Sequence, residues 1–312
     1  MSAAGVNVKC PYCGAEYSVP RSVTYATCPY CGTTFKLNNP GEKVDHYLFK
    51  VFIDDQRAFS LVKSFSSQQV GAEKSVVSEA SFTSSKLFYI PIYLYEVKVK
   101  ALCRDGSSDF HGGESYNQYV VAAVDELPIT LPRGYGFPAR GREYFKPSIS
   151  RNYVYLQPLK DPTAVFEELK RGDINEALSE AREACPSSNI ELVDESRYVG
   201  LAHYPFWEIE YSYRNEVFKA VVDASDGTIV YLEYPLSMKN SFKALVGVFT
   251  GAITASLIGA MIATQNSTAL IGGIASFITF TPALYISLSA FLKRKGRYTY
   301  NPKEEAEFLP TR

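Results

Sequence analysis

Two five-residue elements, each reading Cys-Pro-Tyr-Cys-Gly, occupy residues 10–14 and 28–32 and set the strictest condition on how this chain folds. They must bring four thiols to one place. Cys10, Cys13, Cys28 and Cys31 follow a C-x2-C-x14-C-x2-C spacing. Each short turn aims two sulfurs at one tetrahedral ion, and Gly14 or Gly32 permits the tight knuckle that follows. Four protein ligands close the coordination sphere, so the expected Zn2+ holds a small fold and activates no water. Sulfur-only ligation also suits a rubredoxin-like iron site that carries electrons, and ligand type alone does not separate the two metals.

The expected fold class is α+β, with an N-terminal zinc ribbon (β) over residues 1–38, joined by a turn-rich linker to a central antiparallel α+β domain. In that domain, residues 43–160 form a β-rich first half and 161–240 a second half of helices plus a β-meander. Residues 46–53 and 87–102 read as strands, and Asp54 or Asp55 as the cap of a helix carrying Ala58, Phe59, Leu61, Val62 and Phe65. Residues 104–113 read as an exposed loop, with the next strand at 119–124. Asp161-Pro162 opens a helix. Asp173 opens another, with Glu176 completing a capping box. The meander comprises 207–213, 217–223 and 228–234. An internal echo, YIPIYLYE at 89–96 and HYPFWEIE at 203–210, suggests related strand units in one sheet.

Residues 244–292 contain no Asp, Glu, Lys or Arg and divide into apolar runs at 244–264 and 268–292. The shorter reaches about 31 Å as a helix against a hydrocarbon core of about 30 Å. A C-terminal two-helix transmembrane hairpin over 243–292 is therefore expected, followed by a basic cytosolic tail at 293–312. With lysines and arginines on both flanks, the expectation is a plasma-membrane protein whose two termini are cytoplasmic and whose partner is the lipid bilayer. Gly247, Gly251, Ala255 and Gly259 recur every four residues, a spacing that lets helices approach within the chain or between copies in a homo-oligomer.

Charge argues against nucleic acid as a partner. The whole chain is −1, residues 1–41 carry +2 and residues 42–242 carry −7, an acidic body unlike that of a nucleic-acid binder. The ribbon's +2 is cancelled by the −2 of a Zn(Cys)4 centre. No serine elbow, phosphate loop or zinc-hydrolase helix occurs, so no catalytic residues are assigned and the chain is not read as an enzyme. His111, beside Asp109 and Glu114, is the one weak acid–base or second-metal candidate. His46 and His203 read as structural or surface residues, and Cys103 and Cys185 as buried thiols. In the loop 131–147, Arg133, Arg140, Arg142 and Lys146 alternate with Tyr135, Phe137, Tyr144 and Phe145, either touching anionic headgroups or packing the rings back on the domain.

Two resemblances arise from these residues. Residues 173–234, ending in FKAVVDASDGTIV, resemble a PepSY-type unit, which implies binding or inhibition rather than catalysis. The order of ribbon, YIPIY strand, YPFWEIEYSYRNEVFKAVVDASDGTIVYLEYP and apolar spans is similar to prokaryotic zinc-ribbon membrane proteins of uncharacterised function. The expected role is non-enzymatic protein docking, assembly or regulation, with Trp207 and the tyrosines of the meander as the recognition surface. A membrane-tethered nucleic-acid or transcription factor and a redox carrier are the alternatives.

Overall fold

The computed structural model describes residues 5–237 apart from 22, 40–41, 106–107, 133, 138–140 and 187–188, and residues 246–247, 250–251, 254 and 295–301. The ribbon opens with β1 (Gly5–Lys9) paired antiparallel to β2 (Glu16–Pro20). A three-stranded sheet of β3 (Tyr25–Thr27), β4 (Thr34–Lys36) and β5 (Lys43–Val44) follows and leads into the body.

The body is one ten-stranded sheet curled into a half-barrel. It begins with β6 (His46–Phe49), then α1 (Asp55–Gln68) and α2 (Val76–Glu79). As expected, Asp54 caps α1, accepting from the Arg57 amide at 2.7 Å. β7 (Ser81–Asp105) pairs antiparallel with β8 (Ser108–Ala122). The loop expected at 104–113 is thus largely strand, because β7 and β8 run nearly to the tip of one hairpin. Beyond β9 (Arg142–Tyr144), α3 (Ile149–Asn152) and β10 (Val154–Tyr155) comes the single long helix α4 (Pro162–Ala184). Asp161 caps it, its carboxylate accepting from the Thr163 amide at 2.9 Å. The second helix start expected at Asp173 is corrected. Asp173 lies inside α4, and its carboxylate accepts from Ser115 and Tyr119 of β8 at 2.7 and 2.9 Å, and from Asn117, rather than from its own backbone.

The chain then returns as β11 (Asn189–Asp194), β12 (Arg197–Tyr213), β13 (Glu216–Asp223), β14 (Ile229–Pro235) and β15 (Lys295–Thr299). Arg214 and Asn215 both take positive φ, which turns β12 tightly into β13. The two stretches of the echo pair with each other along β7 and β12, Tyr89 opposite Pro205 and Pro91 opposite His203.

Alternation along these strands separates two faces. One carries Phe88, Ile90, Ile92, Leu94, Tyr204 and Phe206 and is covered by Ile129, Tyr135 and Phe137. The other carries Tyr93, Tyr95 and, beyond a bulge between Tyr198 and Gly200, the odd-numbered residues of β12 from Leu201 onward, and packs against α1, α2, α4 and the ribbon. Gly112 and Gly113 let α4 lie directly on β8. A Cβ at Gly113 would come 2.4 Å from the Ala177 carbonyl oxygen.

Two expectations are corrected here. The chain is mostly β around a curled half-barrel, rather than α+β with a transmembrane hairpin. One helix stands where the sequence suggests two, and strands continue through the expected loop. Among the described residues no helix is long and apolar enough to cross a membrane, which stands against the expected two-span plasma-membrane placement. Of the runs 244–264 and 268–292, only five positions are described. Gly247 and Gly251 are helical with open space where a side chain would stand, while Ala255 and Gly259 lie outside the described residues.

Candidate metal centre

The two knuckles are built alike. In the first, the Gly14 amide donates to the Cys10 carbonyl at 3.0 Å and the Cys10 amide to Ala15 at 2.9 Å. In the second, Gly32 donates to Cys28 and Cys28 to Thr33, both at 2.9 Å. Gly14 and Gly32 take φ of 75° and 76°, a left-handed turn that glycine adopts without strain. One cysteine of each knuckle, Cys10 or Cys28, is buried and the other, Cys13 or Cys31, is exposed.

These turns bring all four sulfurs within 4.8 Å of one another. Cys10 and Cys31 Sγ are 3.8 Å apart, and Cys13 and Cys28 Sγ 3.6 Å. A tetrahedron with zinc–sulfur bonds of about 2.3 Å has edges of about 3.8 Å, so the cluster fits an ion of that size. Electrostatics agree with a site made for a cation. Burial pushes the Cys28 thiol up to about 12 in spite of hydrogen bonds from the backbone at Cys31 and Tyr30. Burial also opposes the Cys31 thiolate, but hydrogen bonds from Thr33 and from neighbouring thiols outweigh it and lower Cys31 to about 6. Four adjacent thiols cannot all ionise unaided, and a divalent ion would supply the missing charge. Beneath them lies a core of Val19, Val23, Ala26 and Phe35, small enough to need such a clamp.

A buried chain of hydrogen bonds ties this module to the body. Thr34 of β4 lies 2.7 Å from His46 Nδ1, His46 Nε2 lies 2.8 Å from His203 Nδ1, and His203 Nε2 lies 2.8 Å from the Leu156 carbonyl oxygen. A carbonyl only accepts, so His203 carries its proton on Nε2 and accepts at Nδ1 from His46 Nε2–H. His46 then accepts from the Thr34 hydroxyl. Every link is used once, and both rings are neutral. Burial holds His46 well below its ordinary value and His203 down to about 3. Phe145 stacks on His46 at 4.0 Å, and Tyr25 of β3 meets Tyr93 of β7 edge-on at 6.2 Å.

The other expected residues are placed as follows. The side chains of His111 and Asp109 lie outside the described residues, and the Glu114 amide donates to Glu180 of α4. Trp207 is half-buried, its indole N–H donating to the Ile53 carbonyl at 2.7 Å, and Tyr204, Tyr211 and Tyr213 are core. These rings thus pack largely within the fold. In the loop 131–147, Tyr135 and Phe137 are buried and Tyr144 is exposed, while Arg133 and Arg140 lie outside the described residues. Cys103 and Cys185 are disulfide-bonded across 82 positions, joining β7 to the end of α4, rather than being separate thiols.

Asp223 has no counterpart in the sequence reading. It is fully buried and accepts from the Tyr135 hydroxyl at 2.6 Å, the Tyr204 hydroxyl at 3.2 Å and the Ser225 amide at 2.7 Å. Burial pushes it up to about 6 against those donors. It fastens the covering segment to the sheet. Its partner Tyr135 is 88 positions away, so no local signal reports it.

No family model matches this chain, nor does any curated protein or solved structure. What is shown is therefore a four-cysteine cluster compatible with a zinc ribbon, and the likeness to PepSY units gains no support.

Proposed function

We propose that this protein is a non-enzymatic docking or assembly factor whose zinc-bound ribbon offers the recognition surface. The observation that carries the reading is the pair of equivalent knuckle rings. Tyr12 and Tyr30 are 48% and 66% exposed, whereas Tyr25 and Phe35 of the same module are buried. Exposed tyrosines on a rigid turn present large area at little entropic cost, which suits a protein contact. Zinc is the proposed ion. Its four sulfur ligands leave no position for substrate, and its role is to hold the knuckles that display the rings. The neutral charge balance of a zinc-loaded ribbon supports a protein rather than a nucleic-acid partner.

The test is a photo-crosslinking residue at position 30 of the full chain, in cells, with the metal content of the purified protein measured in parallel. Capture of one defined protein, lost in the Tyr12→Ala/Tyr30→Ala variant at unchanged zinc content, is expected. Recovery of the bait alone, or cross-links to nucleic acid, would overturn the docking role, and iron in place of zinc would favour an electron carrier.

A further inference from the structure

A cavity of about 330 Å3 lies on the half-barrel face away from the helices, separate from the metal centre. Its floor is apolar: Phe49 of β6, Leu94 of β7, Val120 of β8 and Val199 of β12. Strand register explains the arrangement. Leu94 is opposite Val120, and one step along the same face Glu96 is opposite Gln118 on one side and Arg197 on the other. The cavity therefore passes from an apolar row to a polar row.

The charges at that polar end do not cancel. Arg197 is committed to Glu96, its Nε 2.6 Å from Oε2, and the second Glu96 oxygen accepts from the Tyr116 hydroxyl at 3.0 Å. Arg142 reaches the cavity from β9, directly opposite Phe49 in the register of β6. Its guanidinium lies 4.5 Å from the Tyr47 ring centroid, and among the described residues it makes no ion pair. Resting on a ring, it keeps its donor fork open. The lining thus carries one carboxylate and two guanidiniums, a surplus of one positive charge beside an apolar floor. Its volume falls in the range of small-molecule sites.

We propose that this cavity binds a small amphipathic anion, with the apolar body on Leu94, Val120 and Val199 and a carboxylate paired to Arg142. Arg197 and Glu96 form the fixed wall that orients the head group. The inference goes beyond the docking role and does not depend on it, since no cavity residue belongs to the ribbon.

The experiment is isothermal titration of the full chain with 6-phenylhexanoate and, as its charge-reversed counterpart, 6-phenylhexylamine. Saturable one-site binding of the carboxylate, at least tenfold tighter than that of the amine, is expected. Arg142→Gln should weaken the carboxylate by about tenfold and remove the preference over the amine, because a charge-assisted hydrogen bond is lost. Arg142→Lys should keep the preference. Val120→Trp, which fills the floor, should abolish binding of both probes while thermal unfolding shows the fold retained. Equal affinity for both probes, no saturable binding, or a preference that survives Arg142→Gln would overturn the assignment. If Val120→Trp proves unstable, the Arg142 pair decides alone, since that side chain is exposed and its replacement leaves the core untouched.

Discussion

The ribbon packs Val19, Val23, Ala26 and Phe35 under four thiols, whereas the half-barrel buries rings and aliphatic chains on both faces of one sheet. Cysteine plays opposite parts in the two regions. In the ribbon four thiols gather at one point for an ion; in the body Cys103 and Cys185 bond to each other and need none. The contrast teaches that a small module whose four thiols could hold an ion would draw stability from it, where a large sheet obtains its own from burial. Between them runs the buried hydrogen-bond chain through His46 and His203.

The largest expected effect is metal removal. Structural zinc is worth about 10 kcal/mol or more of folding free energy. Chelation, or Cys28→Ser, should therefore collapse the amide resonances of residues 5–39 while those of β12 and β13 persist. Simultaneous loss of both regions would break the comparison. Next comes Phe206→Ala in the body, where a fully buried ring is removed from the face that Tyr135 and Phe137 cover. The loss should be about 3–5 kcal/mol by urea unfolding, with zinc content unaltered.

Reducing the Cys103–Cys185 bond should cost about 2–4 kcal/mol and free the end of α4. Hydrogen exchange near residue 185 would report it, and protection equal to that of the oxidised protein would count against the linkage.

The histidine chain gives a pH dependence of fixed sign. Above about pH 6.5 an unfolded histidine is neutral, as His203 is in the fold, and the contribution is complete. As pH falls from about 6.5 toward about 3, the unfolded chain takes up a proton that folded His203 refuses. Stability should then drop by about 1.4 kcal/mol per pH unit from this group, or about 2 kcal/mol by pH 5. His203→Gln should flatten that slope, and an unchanged slope would remove the coupling. The smallest effect is Tyr30→Ala, an exposed position, with a stability change within about 0.5 kcal/mol in either direction. Its consequence should appear in partner capture alone.

The sequence determined what depends on near neighbours. The paired cysteine knuckles, the Asp54 and Asp161 caps, the Pro162 start and the Arg214-Asn215 turn each follow from residues a few positions apart. Tertiary structure decided the rest. Asp173 looks like a helix start until β8 supplies donors to that carboxylate, and His46 and His203 look unrelated until parallel pairing of β6 and β12 sets them 2.8 Å apart. The strand hydrophobicity could not tell a loop from a continued hairpin at 104–113, nor could spacing reveal that Cys103 meets Cys185. The physical reason is range. Turn and cap preferences act through a residue's own backbone, whereas the worth of a buried polar group is set by partners that only chain closure brings near.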